Sequence, residues 1–108
     1  MAHTEHRACI EACDACAAAC DHCSTACLAE SRVADMKDCI RMDIDCAALC
    51  RLASGAMARG SAHVQAICAL CARICDACAD ECGRHEYDHC KRCADACRAC
   101  AKECRAMA

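Results

Sequence analysis

The chain is nearly devoid of aromatic residues: its 108 residues include no Phe, no Trp and a single Tyr. That excludes an interior filled by large side chains, although 58% of the residues are apolar. Ala and Cys supply most of the apolar fraction. Helices lined by such small groups can lie close together but bury little area each, so a bound ligand is expected to add to the chain's stability. Proline is absent and glycine occurs three times, which favours long uninterrupted helices. With 16 acidic and 13 basic residues interspersed for a net charge of -3, nothing forms the basic stripe that nucleic acid or a membrane surface would require. No apolar run approaches a membrane span. The polar stretch Met1 to Ile10 does not resemble a signal peptide, so the expected compartment is the cytosol, where thiols stay reduced.

Cysteine, in contrast, occurs nineteen times. One segment carries Cys9, Cys13, Cys16, Cys20, Cys23 and Cys27; another carries Cys39, Cys46 and Cys50. A third has Cys68, Cys71, Cys75, Cys78 and Cys82, and the last has Cys90, Cys93, Cys97, Cys100 and Cys104. Alternating steps of three and four place every thiol of a segment on one helical stripe, where Leu, Ile and Val would ordinarily line a core. A disulfide framework would be loop-rich and without helical period, and an odd count cannot pair completely.

The pattern predicts an all-α fold: one antiparallel, up-down-up-down four-helix bundle spanning residues 1–108, with a cysteine-lined core. The expected helices run from about Thr4 to Ala29, from a cap at Ser31 or Asp35 to Gly60, from a cap at Ser61 to a left-handed Gly83, and from about Glu86 to Ala106. In simple antiparallel register the stripes stack into seven layers. The first holds Cys27, Met36, His85 and Glu86; the second Cys23, Cys39, Cys82 and Cys90; the third Cys20, Asp43, Cys78 and Cys93. Two all-cysteine layers follow, Cys16, Cys46, Cys75, Cys97 and then Cys13, Cys50, Cys71, Cys100. Cys9, Ala53, Cys68 and Cys104 form the sixth, and His6, Met57, Val64 and Met107 the last. All nineteen thiols then fall inside one tube.

Metal binding is the chemistry that suits such a tube. A thioredoxin-like C-x-x-C belongs at a helix N-terminus near a sheet, whereas here such pairs recur mid-helix. The iron–sulfur C-x2-C-x2-C-x3-C-P run is missing. Zinc on four thiolates leaves two net negative charges per site, and stacking such sites in a bundle buries charge at high cost. Cu(I) is selected by soft thiolates, and about one ion per thiolate leaves the filled core nearly neutral. No residue set joins an activated nucleophile to an orienting base, so enzymatic activity is not expected. A zinc or mixed-metal thiolate buffer, or a thiol redox protein, stays open as the alternative.

Four helices lined with C-x3-C-x2-C-x3-C runs, poor in aromatics and without an export signal, resemble the cytosolic copper storage proteins over essentially the whole chain. The resemblance implies a bundle holding many Cu(I) ions per protomer, assembled as a homo-oligomer, usually a tetramer. Copper chaperones or small-molecule thiols would be its exchange partners. Asp43 and Ala53 depart from a pure thiol core.

Copper is expected to enter where Met36, His85, Glu86 and Cys27 gather, with His89 nearby and Asp43 two layers in; Met and His are exchangeable relay ligands for Cu(I). The same residues also read as solvated helix-end groups, with His85 in the Gly83–Arg84–His85 turn rather than on the helix. The opposite end offers His6, Met57 and Met107 beside Val64 and an apolar set. Asp43, a carboxylate facing thiols, is expected to serve as an oxygen ligand or proton acceptor unless helix rotation carries it to solvent. His3 and His22 carry no signal. Ile40, Ile44, Leu49, Leu52, Ile67, Leu70 and Ile74 flank the seam, either sealing the bundle or forming an oligomer interface.

Overall fold

The computed structural model describes residues 6–108, so the expected start at Thr4, and His3, lie outside the described residues. Four helices follow one another: α1 (Arg7–Leu28), α2 (Lys37–Arg59), α3 (Val64–Gly83) and α4 (Asp88–Met107), with a short 3-10 turn, Val33–Met36, leading into α2. Each helix packs against two neighbours: α1 against α2 and α4, α3 against α2 and α4. The result is a slender up-down-up-down bundle of 47 × 17 × 17 Å. The narrow cross-section follows from the side chains. Cysteines occupy the axis, and Ala17, Ala47, Ala72, Ala79, Ala94 and Ala101 are buried where neighbouring helices meet, letting the backbones approach closely.

Antiparallel register is read directly from sulfur contacts. Between α1 and α4, Cys9 meets Cys104, Cys13 meets Cys100, Cys16 meets Cys97, Cys20 meets Cys93 and Cys23 meets Cys90. Between α2 and α3, Cys39 meets Cys82, Cys46 meets Cys75 and Cys50 meets Cys71. These are the pairs that simple antiparallel stacking requires.

Helix ends depart from expectation in physically instructive ways. Neither Ser31 nor Asp35 caps α2; Asp35 pairs with Arg32 at 2.9 Å, and the 3-10 turn delivers Met36 at the α2 N-cap position, 2% exposed. Ser61 does not cap α3. Its hydroxyl accepts the backbone N–H of His63 at 3.1 Å, and the helix begins only at Val64. Gly60 is the residue in the left-handed region (φ 67°, ψ 41°). The N–H groups of Gly60 and Ser61 reach the carbonyls of Met57 and Ala56, a Schellman closure. Gly83 instead remains helical and Arg84 continues in the right-handed region. A Cβ there would lie 3.0 Å from the Arg98 guanidinium, the far end of a flexible side chain. Finally, α4 starts at Asp88 after an extended Tyr87, leaving Glu86 outside the helix and exposed.

Candidate metal centre

All nineteen cysteines are free and buried; Cys9 is 2% exposed and the other eighteen are fully sealed. Neighbouring sulfurs stand 3.2 Å (Cys39–Cys82) to 4.0 Å (Cys78–Cys82) apart. Five quartets have their four sulfurs mutually within 4.8 Å: Cys23, Cys27, Cys39, Cys90; Cys20, Cys78, Cys93, Cys97; Cys16, Cys20, Cys46, Cys97; Cys16, Cys46, Cys50, Cys75; and Cys13, Cys71, Cys100, Cys104. A metal–sulfur bond of about 2.3 Å spans such separations with little movement. Cys16, Cys20, Cys46 and Cys97 each belong to two of these quartets. The two end quartets join this middle run through Cys50–Cys100 (3.7 Å) and through Cys82, 3.2 Å from Cys39 and 4.0 Å from Cys78, so the array is continuous and a thiolate in it can bridge two ions.

Protonation follows from burial. Desolvation disfavours a thiolate, and it is the leading cause that raises Cys27, Cys68 and Cys90, the last to about 11. Deeper in the array, hydrogen bonds between thiols dominate: they raise Cys50, Cys82 and Cys97 and lower Cys16, Cys71 and Cys93, where neighbours donate to any thiolate formed. Soft cations that replace the protons would neutralise the same sulfurs without leaving buried charge.

Asp43 is 0% exposed, so the alternative in which it reaches solvent is excluded. Its Oδ1 accepts from the thiols of Cys93 (3.2 Å), Cys78 (3.3 Å) and Cys82 (3.4 Å), with Cys39 at 3.9 Å from Oδ2. Burial, reinforced by negative charge at Cys93, pushes the carboxyl up to about 8.

At the end formed by the α1–α2 and α3–α4 connections, the first layer differs from the one expected. Cys27 and Met36 are in place and buried. His85 sits in the turn after α3, and its Nε2 lies 3.1 Å from Glu81 Oε2, so it is tied to the α3 surface. Glu86 points away. The imidazole that meets the thiols is that of His89, whose Nδ1 stands 3.4 Å from Cys23, 3.6 Å from Cys90 and 3.9 Å from Cys27. Its Nε2 lies 2.8 Å from Glu30 Oε2. At the other end Ala53 and Met57 are fully sealed, Val64 and Met107 pack against the core, and the Nδ1 of His6 is buried with no hydrogen-bond partner among the described residues.

A family model described as copper storage protein matches residues 2–108. The chain belongs to the copper storage protein family. It is similar to the Cu(I)-bound copper storage protein BsCsp3, with 51% identity, 100% of this chain and 99% of that one covered, and a TM-score of 0.92. A cytosolic copper storage protein from Streptomyces lividans, described in copper loading with five coppers, is 40% identical over 98% of this chain and 93% of its own, with a TM-score of 0.93. Among curated relatives, the cysteine-rich protein YhjQ of Bacillus subtilis (strain 168) is 54% identical over 77 residues, 71% of each chain.

Within this copper storage bundle, the structure brings together the nineteen cysteines, Asp43, Met36 and His89, and sets His85 apart on Glu81. Glu30 was missed by sequence reasoning. A signal for it existed: one more step of three beyond Cys27 reaches position 30. Tyr87, stacked on His89 with ring centroids 5.5 Å apart and planes 5° apart, had none.

Proposed function

We propose that the chain sequesters and stores Cu(I) in the cytosol at about one ion per cysteine, admitting copper at the Cys27, Met36, His89 end. The observation that carries this reading is the continuous array of buried, reduced thiols with shared quartets. In it the thiolates are the ligands, Asp43 is an oxygen ligand or proton acceptor among Cys39, Cys78, Cys82 and Cys93, and Met36 and His89 are relay ligands, with His85 at most an outer one. The role is storage rather than catalysis. Each ion displaces about one thiol proton, so filling is favoured as pH rises. The cytosolic assignment is supported by the Streptomyces lividans relative; no described helix is long and apolar enough to cross a membrane. Exchange is with copper chaperones or small-molecule thiols. A homotetramer is the expected assembly, for which exposed Ile44, Leu52 and Leu70 offer apolar surface; sedimentation velocity reads the state.

Anaerobic titration of reduced, metal-free protein with Cu(I) against a chromophoric chelator tests the function. Sharp uptake near one Cu(I) per cysteine is the expected outcome. Saturation after a few ions, or ready displacement by zinc, would favour a zinc or mixed-metal buffer or a thiol redox protein.

A further inference from the structure

Three contacts fix how the His89 ring stands at the mouth of the tube. On one edge, Nε2 lies 2.8 Å from Glu30 Oε2. A carboxylate only accepts, so the proton of a neutral ring is on Nε2 and Nδ1 carries the lone pair. On the other edge, that Nδ1 faces the sulfurs of Cys23, Cys90 and Cys27. Tyr87, at the N-cap of α4, lies flat against the ring. Glu30 reaches the site because α1 ends at Leu28 and the following turn folds back, with the Glu30 N–H bonded to the Cys27 carbonyl at 3.2 Å.

We infer that Glu30 is a positioning residue for copper entry: it holds His89 in the Nε2–H tautomer and keeps the Nδ1 lone pair turned onto Cys23, Cys27 and Cys90. Glu30 is not itself the ligand, since Cu(I) prefers sulfur and imidazole to a hard carboxylate and its Oε2 is engaged by Nε2. His85 shows that a carboxylate partner alone does not make an entry ligand. Its Nε2 also pairs with a glutamate, but Glu81 is shared with Arg84 at 2.8 Å and the His85 ring meets no thiol among the described residues. At Glu30 the carboxylate and the thiols lie on opposite edges of one ring. That is the arrangement by which outer-shell carboxylates orient metal-binding histidines.

The inference rests on the storage reading, and its test separates the two. The tautomer of His89 is read from two-bond 15N–1H correlations of the metal-free protein, and loading from anaerobic stopped-flow mixing with Cu(I). The wild type is expected to show one Nε2–H tautomer. In Glu30→Ala the tautomers should mix and loading should slow about 10-fold at unchanged capacity. Glu30→Gln, whose amide oxygen still accepts from Nε2–H, should restore both. A pure Nε2–H tautomer in Glu30→Ala, or wild-type loading by that variant, overturns the inference. So does a Gln variant that keeps the tautomer yet loads as slowly as the Ala variant, because charge rather than positioning would then be at work. Low capacity in the wild type would overturn storage alone, since the tautomer measurement needs no copper.

Discussion

The two ends of the tube are built from similar residue types and differ in how those residues are held. Each end has a histidine and a buried methionine. At the proposed mouth, His89 is tied by Glu30, stacked on Tyr87 and directed at three thiols, and Asp43 lies two layers in. At the far end Met57 and Ala53 are sealed, Val64 and Met107 pack against the core, and the Nδ1 of His6 is buried with no partner among the described residues. On the proposed reading, the carboxylate on one edge of the His89 ring orients the other edge towards an entering ion.

The largest expected effect concerns Asp43, which makes the mouth half of the metal-free tube sensitive to pH. An unfolded aspartate titrates at ~3.9, whereas burial pushes the folded Asp43 carboxyl up to about 8. Between these values the folded chain holds a proton that the unfolded chain has lost. The contribution of Asp43 to stability is therefore fully present below about pH 4 and is lost as pH rises towards 8, by at most ~1.4 kcal/mol per pH unit. Urea denaturation of reduced, metal-free protein at pH 5, 6.5 and 8 should show this slope, and Asp43→Asn should flatten it. An identical slope in both proteins would remove Asp43 from the account.

Loading kinetics sharpen the contrast next. His89→Ala should slow anaerobic Cu(I) uptake about 10- to 100-fold, whereas His6→Ala should leave the rate unchanged. A smaller loss is expected for His85→Ala, because that ring is held on Glu81. Equal slowing by the His6 and His89 variants would mean that copper enters from both ends.

Much of this architecture was legible in the residues, and the illegible parts share a cause. The four stripes, their register and the cysteine layers follow from steps of three and four, which any straight helix must place on one face. Asp43 was legible as a stripe position, but its burial depends on three thiols from two other helices. The first layer was misread because helix ends are decided by tertiary contacts. The extended Tyr87 delays α4 to Asp88, which drops Glu86 from the stripe and turns His89 inward although it is off the cysteine period. Likewise the Ser61 hydroxyl is spent on a turn before α3 begins.

The smallest expected effects come from the two glycines at the connections, one at each end. Gly60, at the closed end, occupies φ 67° and ψ 41°, which costs an L-residue with a Cβ roughly 1–2 kcal/mol. Gly60→Ala should therefore destabilise the metal-free protein by about 1 kcal/mol, through backbone strain alone. Gly83, at the mouth, is helical, and a Cβ there meets only the tip of Arg98, 3.0 Å away. That guanidinium is 57% exposed and can swing aside, while alanine raises helix propensity by up to ~1 kcal/mol. Gly83→Ala should thus be neutral or stabilising by a few tenths of a kcal/mol. A loss at Gly60 without one at Gly83 in chemical denaturation would show that backbone geometry requires glycine in the α2–α3 turn, whereas the side chain beside Gly83 gives way. Equal losses would mean that the space beside Arg98 is as tightly constrained as the left-handed turn, and that the mouth is no more adaptable than the closed end.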